Sequence, residues 1–160
     1  MPTIKTEVVP TLYCFGELRQ CVANPESIGN EVNAMVPKAF AGAAKARINT
    51  LGSAASIFFT WKTDCETRFT CGPMVAGGPQ AQAHNASGGG PGVRTALGCK
   101  CAVVDHLGPH KELRKTREAM LEWIGANGYE SRLPIVHVYE NNPKEVEPEK
   151  LRTKLYVPIA

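Results

Sequence analysis

Six aromatic side chains mark where this chain could hold an organic molecule: Tyr13, Phe59, Trp61, Trp123, Tyr139 and Tyr156. Alternate residues of an extended strand share a face, so Ile57, Phe59 and Trp61 form one row and Ile135, His137 and Tyr139 another. On the final stretch, Arg152, Lys154 and Tyr156 form a third. A flat ring carrying one polar atom offers stacking and a single hydrogen bond, which suits a small aromatic ligand. The same rings would also serve to fill a core, and the sequence leaves both uses open.

Catalytic groups are scarcer. A general acid or base must lie within hydrogen-bond reach of the proton it moves. Glu122, beside Trp123, is the carboxylate that could take such a role. His106 stands where a strand gives way to a helix and reads as satisfying local backbone groups; His110 and His137 are read in the same way. His84 falls in a glycine-rich loop and is expected to face solvent. The six cysteines contain no Cys-x-x-Cys, and Cys99 and Cys101 would share one strand face. A metal site needs four convergent ligands, or three and a water. The spacing offers neither, so no metal and no cofactor is expected, and the cysteines read as reduced, half-buried hydrophobes.

The chain that must position these groups has 160 residues and a net charge of +3, enough for one domain with a core of its own. Arg114, Lys115 and Arg117 lie close together on a helix and read as a solvated face, not the clustered stripe that nucleic acid requires. No apolar run reaches the about 18 residues that span a bilayer. Met1-Pro2-Thr3-Ile4-Lys5 lacks the apolar stretch of a signal peptide, so a cytoplasmic location is expected.

Two halves repeat. Ile57-Phe58-Phe59-Thr60-Trp61 matches Ile135-Val136-His137-Val138-Tyr139 at a shift of 78 (57 to 135, 61 to 139). Each half predicts strand, helix, strand, strand. The first has a strand near Val8–Phe15, then a helix whose stripe is Ile28, Val32, Met35, Val36, Phe40 and Ala43. Pro37 inside it predicts a kink or two short helices, and Leu51-Gly52 a glycine stop. A hairpin then joins Ala55–Trp61 to Arg68–Val75. The second half has a strand near Leu97–Val104 and a helix from His110 to Ala126, with Pro109 at its entry, Gly128 at its exit and Leu113, Met120, Leu121 and Ile124 as its stripe. Between the halves, Ala76–Gly92 reads as a flexible connector.

The later half carries a run of ordered motifs: His106-x-Gly108-Pro109 before the helix, Glu122-Trp123-Ile124 within it, Tyr139-x-Asn141-Asn142-Pro143 after the strand, and Pro148-Glu149-Lys150-Leu151-Arg152 beyond. Closely over Val103–Ile159 and loosely over Val8–Val75, the chain resembles the GyrI-like domain, the effector-binding domain of AraC- and MerR-type regulators. That resemblance implies a single α+β domain over residues 1–160, with a first half at about 5–76, a connector at about 77–92 and a second half at about 93–160. It implies duplicated β-α-β-β modules about a pseudo-twofold axis, an antiparallel sheet and two main helices flanking a central groove.

By the same resemblance, the chain is a stand-alone protein that senses or sequesters a drug-like aromatic ligand, cations included, through Trp61, Trp123, Tyr139, Tyr156, Phe59, Tyr13, Lys154 and Glu122. Strand-like residues begin by Val8, so no helix-turn-helix is expected and no direct contact with DNA; self-association stays open. Drug-binding relatives place a glutamate where this chain has Thr70 and Lys154, which admits neutral or anionic ligands unless Glu7, Glu122 or Glu140 substitutes. His110 stands in place of the tyrosine of the family's Gly-Pro-Tyr. Two alternatives accompany this reading. One is a hydrolase that opens strained, cyclopropane-bearing electrophiles with help from Glu122. The other is an inhibitor module that docks a protein partner through Arg114, Lys115 and Arg117.

Overall fold

A computed structural model describes residues 3–62 and 64–160. The chain runs β1 (Lys5–Gly16), β2 (Arg19–Val22), α1 (Pro25–Lys45), β3 (Thr50–Phe58), β4 (Glu66–Val75), the short α2 (Pro79–Ala83), β5 (Gly92–Leu107), α3 (Leu113–Ala126), β6 (Ile135–Tyr139) and β7 (Arg152–Pro158). Setting aside β2 and α2, each half follows the order strand, helix, strand, strand, as the duplicated pattern predicts. The seven strands lie in the order β1-β5-β7-β6-β3-β4-β2, every neighbour antiparallel. β1 also meets β4 at Cys14–Met74, so the sheet curls until its two sides touch.

That curl gives the sheet a covered face and an enclosed one. Phe58, Phe69, Cys71, Val104, Leu155 and Val157 pack beneath α1 and α3, against Ile28, Met35, Leu113, Met120 and Ile124. Leu12, Cys14, Ala55, Ile57, Ala96 and Val136 fill the other face; β1 and β3 are not neighbours, so their residues meet across the inside of the curl. Burial of these side chains supplies the main driving force for folding, each large one contributing about 1.5–3 kcal/mol.

Local chemistry explains where the helices begin and end. The Asn24 side chain accepts a hydrogen bond from the Ser27 N–H at 2.8 Å, and Pro25 supplies the fixed φ of a first turn. α1 is one helix that runs through Pro37, not two short ones. It ends at Lys45 and not at Gly52. The Ile48 N–H reaches the Ala43 carbonyl at 2.9 Å, the Arg47 N–H reaches Ala44 at 3.1 Å, and Arg47 takes the left-handed φ of +59°. An arginine thus holds a position where glycine is the usual signal. Gly52, at φ +92°, sits in an irregular stretch of β3 instead. α3 stops with the same pair of bonds, and there the left-handed residue is the expected Gly128.

The shift of 78 does not match the fold's own pairing. β3 and β6 pair Ile57 with Val136 and Phe58 with Ile135, and paired residues share a face. Ile57 and Ile135 therefore point to opposite sides of the sheet. The segment Ala76–Gly92 is also more tied down than a plain linker. It contains α2, Arg94 donates to the carbonyls of Gly88 at 3.0 Å and Gly90 at 2.7 Å, and Leu18 N–H donates to Gly89 at 3.0 Å. His84, expected in solvent, is half-buried at the end of α2. Among the described residues, no helix is long and apolar enough to cross a membrane.

Candidate functional site

α1 and α3 diverge over the ends of β3 and β6 and leave a cavity of about 700 Å³ between them. Ile28, Val32 and Phe40 of α1 form one wall and Leu113 and Arg117 of α3 the other; His137 and Tyr139 come from β6. Trp61 closes one end. It follows the last residue of β3 by three positions, after the bend at Phe59–Thr60, which turns it back to the helix side and sets its ring edge-on to Phe58, 5.1 Å between centroids at 89°. Phe59, the first residue of the bend, stays on the enclosed face. Residues 140–145 form the mouth. Asn141 ties that loop to the start of β7, donating to the Lys150 carbonyl and accepting from the Arg152 N–H, both at 2.9 Å.

The buried charge in the cavity lining is Arg117, only 6% exposed. The expected solvated face of Arg114, Lys115 and Arg117 divides. Arg114 reaches out to Asp64 at 3.1 Å and Glu118 at 3.3 Å, and Lys115 pairs with Glu112 at 3.2 Å. Arg117 turns inward because it occupies the same helix stripe as Leu113, Met120 and Ile124, at steps of four, three and four. Its guanidinium carbon lies 3.8 Å from the centre of the Trp61 ring, a cation–π contact. Among the described residues, no carboxylate pairs with it, and its buried Nε has no hydrogen-bond partner. Burial brings its pKa down to about 10, which leaves it charged at neutral pH.

Three more buried polar atoms in the lining lack partners: Trp61 Nε1 and both ring nitrogens of His137. Buried polar groups are nearly always hydrogen-bonded, so such a group at one cavity is exceptional. Burial, and then the charge of Arg117, hold the His137 imidazole well below its ordinary pKa of 6.5. His110, 5.3 Å from the Tyr139 ring, is lowered first by burial and then by His106. Tyr139 is anchored from below, its hydroxyl 2.7 Å from Ser56 Oγ, and burial raises its pKa. Ser56→Ala leaves that hydroxyl unpaired; a loss of about 1 kcal/mol is expected from urea titration. His106 satisfies its local surroundings: Nε2 donates to the Pro109 carbonyl at 3.2 Å, and Nδ1 lies 2.7 Å from Thr116 Oγ1, pinning the entry of α3.

Of the expected ligand-binding residues, the fold brings Trp61 and Tyr139 to the cavity, and six lie elsewhere. Trp123 packs half-buried on the core from α3. Tyr156 points into the enclosed face, and Lys154 alternates with Leu155 onto that same side of β7, 3.8 Å from Asp105. Phe59 is there too. Tyr13 packs beside Phe15 near the end of α1, against Gly77. Glu122 is exposed on the outer side of α3, which leaves the hydrolytic reading without its carboxylate. Thr70 is buried against Gly16, Glu7 pairs with Lys5 at 3.5 Å, and Glu140 stands exposed at the mouth. Strand alternation separates Phe59, Lys154 and Tyr156 from the cavity: positions that share a face with Ile57 or Val136 turn away from the helices.

The sequence model of the GyrI-like small molecule binding domain matches residues 27–160. The chain belongs to this family. Its GyrI-like fold is similar to the crystal structure of the EcmrR C-terminal domain, with a TM-score of 0.73 at 14% identity, covering 100% of this chain and 98% of that one. It is also similar to SAV2435 bound to tetraphenylphosphonium, with a TM-score of 0.62 at 14% identity over 100% and 94%. A hydrolase from Listeria innocua gives 0.57 at 12% identity over 98% and 91%. No protein of curated description matches the sequence. The GyrI-like chain is thus a small-molecule binding domain that shares its fold with the EcmrR C-terminal domain.

Proposed function

We propose that the cavity between α1 and α3 is the ligand site, and that this GyrI-like protein takes up a small aromatic molecule there to sense or sequester it. One observation carries the reading: a cavity of about 700 Å³ whose lining combines Trp61, Tyr139 and an apolar wall with buried polar atoms that lack partners. Ligand sites of this size are lined mostly by apolar and aromatic groups, with a few polar groups that orient the bound molecule. A ligand offering hydrogen bonds would satisfy those groups, and its ring would replace water on Trp61 and Tyr139. The aromatic phosphonium held by SAV2435, a protein of the same fold, supports the class of ligand.

Titration of a panel of cationic, neutral and anionic aromatics tests this by tryptophan fluorescence. Trp61 lines the cavity and Trp123 does not, so saturable quenching should disappear in Trp61→Phe and persist in Trp123→Phe. A flat response to every compound up to millimolar concentration overturns the assignment. Quenching that survives in Trp61→Phe and is lost in Trp123→Phe moves the site elsewhere. Binding that saturates at one ligand per chain with no consumption of excess ligand separates binding from turnover.

A further inference from the structure

We propose that the ligand of this groove is an aromatic anion whose acidic head, a carboxylate or sulfonate, docks on Arg117 while its ring lies toward Trp61 and Tyr139. The inference rests on the cavity being the ligand site. A buried ion is normally paired, because its lost hydration must be replaced. Arg117 is buried in the cavity lining and has no carboxylate partner among the described residues. The Trp61 ring replaces part of that hydration through its face, and a face carries no full charge. A counter-ion is the missing component.

The unpartnered atoms have the same preference. Arg117 Nε and Trp61 Nε1 only donate, and a neutral His137 ring supplies one further N–H. These groups ask for acceptors, and an acidic head presents several at once, two of which can meet the guanidinium fork side by side. The carboxylates that line the cavity, Glu140 and Glu145, are exposed at its mouth. They face water, which screens them, while Arg117 lies within. Lys144 is also at the mouth, and Arg114 is already neutralised by Asp64 and Glu118. A lipophilic cation entering the groove would meet a like charge in its lining without a buried carboxylate to offset it.

Three probes of one shape separate the possibilities: 1-naphthoate, 1-naphthamide and 1-naphthylmethylammonium, titrated into the wild-type protein and into Arg117→Met. Methionine suits the apolar stripe of α3, and its melting temperature should equal or exceed that of the wild type, which shows that the variant is folded. The wild-type protein is expected to hold naphthoate about tenfold or more tighter than naphthamide, with the ammonium weakest. In Arg117→Met the preference for naphthoate over naphthamide should collapse toward one. Tighter binding of the ammonium than of naphthoate overturns the anion assignment and leaves the groove as the ligand site. An unchanged naphthoate preference in Arg117→Met does the same. No binding of any of the three at millimolar concentration overturns both readings.

Discussion

Gly72→Ala is expected to be the most destabilising single methyl in the sheet. A Cβ at Gly72 would collide with the Phe15 carbonyl oxygen and come within 2.8 Å of the Ala39 Cβ and 3.1 Å of the Phe15 carbonyl carbon. None of these atoms can yield easily. Phe15 is held in the β1–β5 ladder opposite Val93, and Ala39 belongs to α1. The obstruction falls at the seam where β1 meets β4, the contact that closes the sheet. Overpacking by one methyl typically costs about 1–3 kcal/mol, and a clash with main-chain atoms lies at or above the top of that range, a large share of a total stability of about 5–15 kcal/mol. Gly125→Ala makes the contrasting control. That glycine lies in α3 with nothing within 4 Å of the added carbon, and alanine there should gain about 0.5–1 kcal/mol. Urea unfolding of both variants checks the pair; a Gly72→Ala midpoint near the wild-type value would mean that the seam is far more pliant than its packing implies.

The order of elements was legible because each half repeats its periodicity, and proline and glycine punctuate the second half at the right places. Pro109 and Gly128 bracket α3 as their backbone preferences dictate. The end of α1 was not legible, since Arg47 takes the left-handed position and carries no compositional signal. The site was harder still. Trp61 reaches the cavity because the strand ends before it and the chain bends, whereas strict alternation would leave it beside Phe59. Tyr156 and Lys154 sit on a real strand whose outward and inward faces alternation alone cannot tell apart. Arg117 was within reach: an arginine at the centre of the stripe Leu113, Met120, Ile124 breaks the apolar pattern, and a break of that kind is where function tends to reside. His137 gave no such signal, because its isolation depends on β3, α3 and Trp61 converging around it.

His137→Leu is expected to stabilise the protein at neutral pH and to flatten its loss of stability in mild acid. The wild-type imidazole is buried 4.9 Å from the Phe58 ring, and neither nitrogen has a partner. Leucine removes both unsatisfied atoms and keeps an apolar group of similar size against Phe58. The pH effect follows from where the proton goes. Burial, then Arg117 and His110, hold the folded-state pKa well below 6.5, so below that value the unfolded chain binds a proton on His137 that the folded chain refuses. The wild-type protein therefore loses stability as the pH drops through 6.5, by up to about 1.4 kcal/mol per pH unit from this residue. His110, lowered in the same direction, retains part of the slope in the variant. Urea titrations at pH 7, 6 and 5 measure the difference, and parallel profiles for the two proteins would remove His137 as the source. A side chain that costs stability at every pH below neutrality, and faces the cavity beside an unpaired arginine, is better explained by what binds there than by the fold it weakens.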